Sequence, residues 1–325
     1  MIKAKSKINN KPVALVTGAT GFIGSHLVSK LHDEGYAVRV YSRQACRRNT
    51  RLQVDSKDWI SAELSDEDAL ASACKGVDVV FHTASIAHSF ADAEEIFAVN
   101  VLGSQSVYSA AVDSKARAFV FFSSILAADP EQSDYAKSKW SAEQAFLKAI
   151  ELNPSTDVVI LRPANVYGAG MRGNMRTFIK IAKNKLIPAL PRLENTFPMV
   201  SVQDLCEVAI CESRPERAIG GVTFYTISDG EQYTPNRIES AVYASINGSE
   251  PKWRMPLMLI YIVALISQLI DCIGIKKNQL GIRLYRRLTE TRNLSESPDT
   301  LAHRFVPTAT LETEMPKILR SLDAE

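Results

Sequence analysis

"VTGATGFIGSHL", Val16–Leu27, decides how the rest of the chain is read. It is entered from "PVALVTG", an apolar, β-branched run ending in glycine, which by length and composition is a buried parallel strand. After it, Phe22, Ile23, Leu27, Val28 and Leu31 recur at helical spacing, and Gly35 is placed to end the helix. At the junction Gly18, Gly21 and Gly24 form GxxGxxG. The first glycine permits a tight turn, the second lets backbone N–H groups approach an anion, and the third lets helix and strand pack closely. The helix N-terminus adds partial positive charge. With Thr20, Phe22 and Ile23 in the same turn, the stretch predicts a loop that holds the pyrophosphate of a dinucleotide.

Downstream the pattern repeats. "YAVRVYSR", "GVDVVFHTAS", "ARAFVFFSSI" and "STDVVILRPANVYG" read as strands, with "IFAVNVLGSQSVYSAAVDS" helical between two of them. Strands alternating with helices predict an α/β protein built on a Rossmann-type doubly wound parallel sheet. Ligands in such sheets sit beyond the carboxyl ends of the strands, where each motif below falls. The expected organisation is a lead-in over 1–11, a dinucleotide-binding domain over 12–167, and a smaller substrate lobe over 168–325 with some segments returning to the first domain.

Composition fits this. The chain has 325 residues, 46% hydrophobic and 23% charged, the balance of a soluble globular protein with a substantial core. A formal charge of +2 implies no general attraction to nucleic acid. Cys46, Cys74, Cys206, Cys211 and Cys272 form no CxxC pair and no metal-ligand spacing with the histidines, so no metal is expected and the thiols suit a reduced, cytoplasmic setting. "MIKAKSKINNKP" lacks the apolar core of a signal peptide. "PLMLIYIVALISQLIDCIGI", Pro256–Ile275, reads as a buried helix of the substrate lobe. Lys276, Lys277, Arg283, Arg286 and Arg287 follow it, which keeps open a peripheral contact with the inner face of a membrane.

The end of the second strand bears on the choice of dinucleotide. An acidic residue there, about 20 residues past the glycines, holds the ribose 2′-hydroxyl of NAD. This chain has Ser42 and Arg43 instead, with Arg47 and Arg48 nearby. A guanidinium binds a 2′-phosphate that an acid would repel, which favours NADP(H) over NAD(H). Glu63 and Leu64, after the third strand, are placed to reach the adenine.

Ser123 and Ser124 close a strand, and Tyr135 and Lys139 follow four residues apart, on one face of a helix. A phenol of pKa about 10 is a poor acid or base near neutrality. An ammonium one turn away stabilises the phenolate, and a serine hydroxyl can hold a substrate oxygen. Together they can move a proton at that oxygen while a nicotinamide exchanges hydride with its carbon.

TGxxGxxG, "FHTAS" (Phe81–Ser85), "VNVLG" (Val99–Gly103), "FFSSI", YxxxK and "LRPANVYG" (Leu161–Gly168) follow the order and spacing of the extended short-chain dehydrogenase/reductases. The chain resembles this NAD-dependent epimerase/dehydratase family over most of its length. The resemblance implies Ser124 as catalytic serine, Tyr135 as acid/base and Lys139 as its partner. It also implies Thr83, Ala84, Ser85, Asn100 and Ser123 around the cofactor, and Pro163, Asn165 and Val166 beside nicotinamide and substrate. The family pairs subunits through the helices that carry "VNVLGSQSVYSAA" and YxxxK, so a homodimer is expected.

Within the family, "SKWSAEQ", "MRGNMRTFIKIAKNKLIPAL" and "MVSVQDLCEVAI" are most similar to bacterial nucleotide-sugar 4-epimerases and 4-keto-reductases. Arg172, Asn174, Arg176, Lys180 and Arg192 are the candidates for the substrate's diphosphate and sugar. Two features depart from that pattern: "NTFPMVSV" has no arginine before the "VSVQDL" strand, and "ILAADPEQSD" is short for a sugar-binding loop. A second reading is a reductase of a hydrophobic alcohol or ketone, resembling the 3β-hydroxysteroid dehydrogenases. A third is a regulator that binds NADP(H) without chemistry.

Overall fold

The computed structural model describes residues 11–44, 52–87, 91–152, 156–184, 188–218, 220–246, 248, 253–259, 261–262, 265 and 305–323. Arg47, Arg48, Cys46, Cys272, the lead-in over 1–10, and most of 256–275 with the cations that follow it lie outside the described residues. Two compact units emerge, Met1–Pro163 with Leu205–Thr226, and Ala164–Asp204 with Ile227–Glu325.

The first unit carries a seven-stranded sheet. Its strands are β1 (Val13–Thr17), β2 (Ala37–Ser42), β3 (Trp59–Ser61), β4 (Val79–His82), β5 (Ala118–Phe122), β6 (Asp157–Pro163) and β9 (Val222–Ile227), in spatial order β3-β2-β1-β4-β5-β6-β9. Pairing is parallel from β3 to β6, in registers such as Val16↔Val40, Val16↔Phe81 and Phe121↔Ile160. The order reverses between β1 and β4, and that switch point opens the crevice where doubly wound sheets bind ligands. Helices α1 (Phe22–Asp33), α2 (Glu67–Cys74), α3 (Ala93–Phe97), α4 (Gly103–Asp113) and α5 (Asp134–Leu152) connect the strands.

Continuous apolar strands are buried on both faces because helices cover both. All five residues of β5 are buried, and Phe119 and Phe121 pack against Phe146 of α5 with ring centroids 5.3 and 5.0 Å apart. The helix expected over Ile96–Ser114 is interrupted by a π-helical turn, Ala98–Leu102, between α3 and α4.

The sequence reads "STDVVILRPANVYG" as one strand, whereas the chain leaves the large sheet at Pro163. Ala164 donates its N–H to Ile227 O (2.9 Å), and β7 (Asn165–Tyr167) pairs in parallel with β8 (Phe197–Ser201). β8 ends where α7 (Val202–Glu212) begins, so the strand expected over "VSVQDL" stops at Ser201. In the second unit β10 (Gln232–Tyr233) completes a three-stranded sheet in the order β10-β8-β7, with α6 (Asn174–Lys183), α8 (Pro235–Ser245) and α9 (Leu311–Asp323). Buried Asp204 joins distant pieces of this unit, accepting from Ser201 Oγ (2.8 Å), Thr308 Oγ1 (2.6 Å) and Thr308 N (3.1 Å). No helix among the described residues is long and apolar enough to cross a membrane.

Candidate active site

Gly18 follows β1 with φ +70, and a Cβ there would lie 2.6 Å from Ala84 N and 2.7 Å from Ala84 Cα. A Cβ on Gly24 would run into Gly18 O and lie 2.8 Å from Ala19 Cα. These contacts give the first and third glycines a steric reason, close approach of β1, α1 and the loop after β4. Gly21 caps α1 without a side-chain cap, and no acid occupies the first turn. A bare, positive helix end behind a glycine turn fits a pyrophosphate. Thr20, Phe22 and Ile23 are part-exposed around it.

At the adenosine end, Ser42 is buried and accepts from Gln44 N (3.2 Å), while Arg43 is exposed. No acidic residue stands between Ala37 and Gln44. Glu63 offers its carbonyl to Tyr41 OH (2.6 Å), and Leu64 packs against Gly103, where a Cβ would meet its Cδ1 at 2.9 Å.

Thr83 and Ala84 are tied to the end of β1, Thr83 Oγ1 donating to Thr17 O (2.7 Å). His82, fully buried, bridges Thr17 Oγ1 (2.6 Å) and Ser104 Oγ (2.8 Å). Burial, aided by the Lys139 charge, pushes its imidazole down to about 3. Asn100 projects from the π-helical turn, accepts from Ile86 N (2.8 Å), and donates to Ile86 O and Ser138 Oγ (both 3.0 Å). Its amide is thus spent on holding the chain after β4 and the start of α5.

Tyr135 and Lys139 lie one turn apart on α5, and Ser124 lies just beyond β5. Burial pushes the Tyr135 phenol up to about 12, against the hydroxyls of Ser124 and Ser85, which pull it down. Ser85 Oγ is buried near that phenol but makes no hydrogen bond of full geometry. Lys139, 2% exposed, donates to Phe122 O (2.7 Å) and sits 4.6 Å from the Phe121 ring centroid. Burial draws its ammonium down to about 7, opposed by Glu143. The depressed phenol expected from YxxxK is therefore not what this arrangement shows: desolvation outweighs the Ser124 and Ser85 hydroxyls, and Lys139 Nζ is engaged by a strand carbonyl.

One turn further, fully buried Glu143 accepts from Ser123 Oγ (2.5 Å), Arg162 Nε (3.0 Å) and Arg162 Nη2 (2.5 Å). Neither Glu143, Arg162 nor His82 stands out in the sequence. The available signal was helical spacing, Tyr135, Lys139 and Glu143 being four apart in turn. Pro163 ends β6 in this unit. Asn165 and Val166 lie on β7 in the other, where Asn165 Nδ2 donates to Pro198 O (3.4 Å). Arg172, Asn174, Arg176 and Arg192 also belong to the second unit: Arg172 precedes α6, Asn174 and Arg176 lie in its first turn, and exposed Arg192 stands between α6 and β8. No group of three His, Cys, Asp or Glu side chains among the described residues is arranged to hold a metal ion.

Residues 14–218 match the sequence model of the NAD dependent epimerase/dehydratase family. A UDP-glucose 4-epimerase of Vibrio cholerae is 29% identical over 266 residues, 75% of this chain and 78% of that protein. A ceramide reductase of Caulobacter vibrioides is 31% identical over 207 residues, covering 62% of this chain and 61% of that one. Among solved structures, a UDP-N-acetylglucosamine 4-epimerase from Methanobrevibacter ruminantium, in complex with UDP-N-acetylmuramic acid, superposes with a TM-score of 0.71. That match covers 97% of this chain and 99% of the other at 20% identity, a likeness of fold.

Proposed function

The chain belongs to the NAD-dependent epimerase/dehydratase family, NAD(P)-dependent enzymes of the extended short-chain dehydrogenase/reductase type, and from that premise we propose that it acts on a nucleotide-sugar as a 4-epimerase or 4-keto-reductase. The observation that carries the chemistry is the row of Ser124, Tyr135 and Lys139, in the unit that holds the glycine turn. The nicotinamide, when bound, supplies or accepts the hydride. Gly18, Thr20, Gly21, Phe22, Ile23 and Gly24 hold the pyrophosphate, with Thr83, Ala84 and Ser85 beside it. Ser124 orients the substrate oxygen. Tyr135 gives a proton to that oxygen in reduction and takes it back in oxidation, and Lys139 stabilises the charge left on the phenol.

Arg43, with no acid at the end of β2, supports a preference for NADP(H). The sugar reading is supported by the Vibrio cholerae relative, aligned along three quarters of the chain, and by Arg172, Arg176 and Arg192 as cations for a diphosphate. Exposed Phe97, Leu102 and Trp140, on the segments expected to pair subunits, support a homodimer.

A second reading rests on a different observation. Leu257, Met258, Leu259, Tyr261 and Ile262 are exposed, and a relative named ceramide reductase shares 31% of aligned residues. Such a surface suits a hydrophobic alcohol or ketone. Thermal-shift titration with NADP⁺ or NAD⁺, each with and without UDP-hexoses, separates the two, since a ligand selective for the folded state raises the melting temperature. The sugar reading predicts a larger shift with NADP⁺ than with NAD⁺, increased further by a UDP-hexose. A cofactor shift indifferent to every nucleotide-sugar would overturn it in favour of the apolar substrate.

A further inference from the structure

Glu143 has no part in the acid–base scheme above, although it is fully buried on the same helix face as Tyr135 and Lys139. A carboxylate out of water protonates unless cations and donors hold its charge. Here Arg162 grips both oxygens and Ser123 Oγ donates to Oε1 at 2.5 Å. The Arg162 guanidinium is in turn covered by the Phe224 ring, 4.9 Å away. The carboxylate is thereby clamped by three donors one helical turn from Lys139.

Lys139 is set among few partners. Tyr135 and Glu143 flank it on α5, and β5 contributes the Phe122 carbonyl and the Phe121 ring. β4 contributes His82, held neutral, and β6 brings Arg162 up behind Glu143. Of the charges among these groups, only that of Glu143 favours the ammonium.

We propose that Glu143 is a positioning residue for the acid–base pair: clamped by Arg162 and Ser123, its carboxylate keeps Lys139 protonated inside a dry site and ties down the strand end that carries Ser124. The inference rests on Tyr135 and Lys139 being that pair. Its physical content is an opposition: burial lowers the ammonium, Glu143 acts against that pull, and the balance lies at about 7. Without the carboxylate, Arg162 faces Lys139 as an uncompensated like charge, and the lysine loses its proton near neutrality. A neutral lysine cannot stabilise a phenolate.

The test is direct titration of Lys139 in the full chain carrying ¹³Cε-labelled lysine, with its NMR signal assigned by Lys139→Met. Glu143→Gln, of equal size, is expected to lower the Lys139 midpoint by about one pH unit or more, a tenfold change in proton affinity. Arg162→Gln is expected to lower it as well, because a buried carboxylate that loses its cation takes up a proton and no longer acts on Lys139. Should Glu143→Gln not fold, the Arg162→Gln titration decides by its sign. Midpoints that stay put, or that move in the other direction, would overturn the proposal. Tyr135→Phe turnover separates the two levels. If that variant keeps its activity, the acid–base reading fails whatever Lys139 does. If it is inactive while Lys139 ignores both substitutions, only the role of Glu143 fails.

Discussion

Tyr135 is pulled two ways, and its function depends on the balance. Burial holds the phenol protonated, near 12, while the Ser124 and Ser85 hydroxyls favour the phenolate. A group in that position is a proton donor first, as reduction of a ketone requires. Tyr135→Phe keeps the ring and its packing but deletes the proton. Turnover is expected to fall by roughly 10²–10⁴-fold, with NADP⁺ affinity unchanged when both are measured on the same preparation. At this scale the sequence was partly legible. The helical spacing of Tyr135 and Lys139 and the strand-end position of Ser124 identified them as candidates. Glu143 and His82 escaped because nothing local distinguishes a buried carboxylate from a surface one. Their partners, Arg162 and Thr17, are 19 and 65 residues away in the chain.

Single elements make their own prediction. The turn from β1 into α1 closes only because Gly24 has no side chain, and a Cβ there meets both Gly18 O and Ala19 Cα, backbone atoms that cannot swing aside. Gly24→Ala is expected to cost about 1–3 kcal/mol of stability and to weaken cofactor binding, read by urea denaturation and by NADP⁺ titration. The glycine spacing announced this turn because the demand is local. The division of "LRPANVYG" between β6 and β7 was not announced, since the β8 strand that captures Asn165–Tyr167 lies some thirty residues on, in the register Asn165↔Met199. The π-helical turn at Ala98–Leu102 was hidden for a related reason: its sequence is ordinary helix, and the Asn100 bonds that accompany the turn reach across to Ile86 and Ser138.

For the molecule as a whole, the buried His82 sets a pH dependence of stability. An imidazole titrates ordinarily at 6.5, and here near 3. Between those values the unfolded chain binds a proton that the folded chain refuses. The stability associated with the neutral ring is complete above 6.5 and is lost as the pH falls towards 3, by about 1.4 kcal/mol per pH unit. Urea midpoints measured from neutrality downwards should fall with that slope, and His82→Asn should flatten it. The large sheet was legible at this scale because its motifs recur at successive strand ends. The second unit was not, because it is assembled by contacts such as Thr308 to Asp204, 104 residues apart, which no window of sequence contains.

The most direct test incubates the NADP⁺-loaded protein with UDP-glucose or UDP-N-acetylglucosamine, follows nicotinamide absorbance and resolves the sugar products by NMR, in the wild type and in Tyr135→Phe. With at least one of these sugars the wild type is expected to yield either reduced nicotinamide or the C4 epimer with no net change in nicotinamide, and the variant almost neither although it binds NADP⁺ equally well. Equal turnover in both proteins, or neither product from a wild type that binds its cofactor, would contradict the nucleotide-sugar reading.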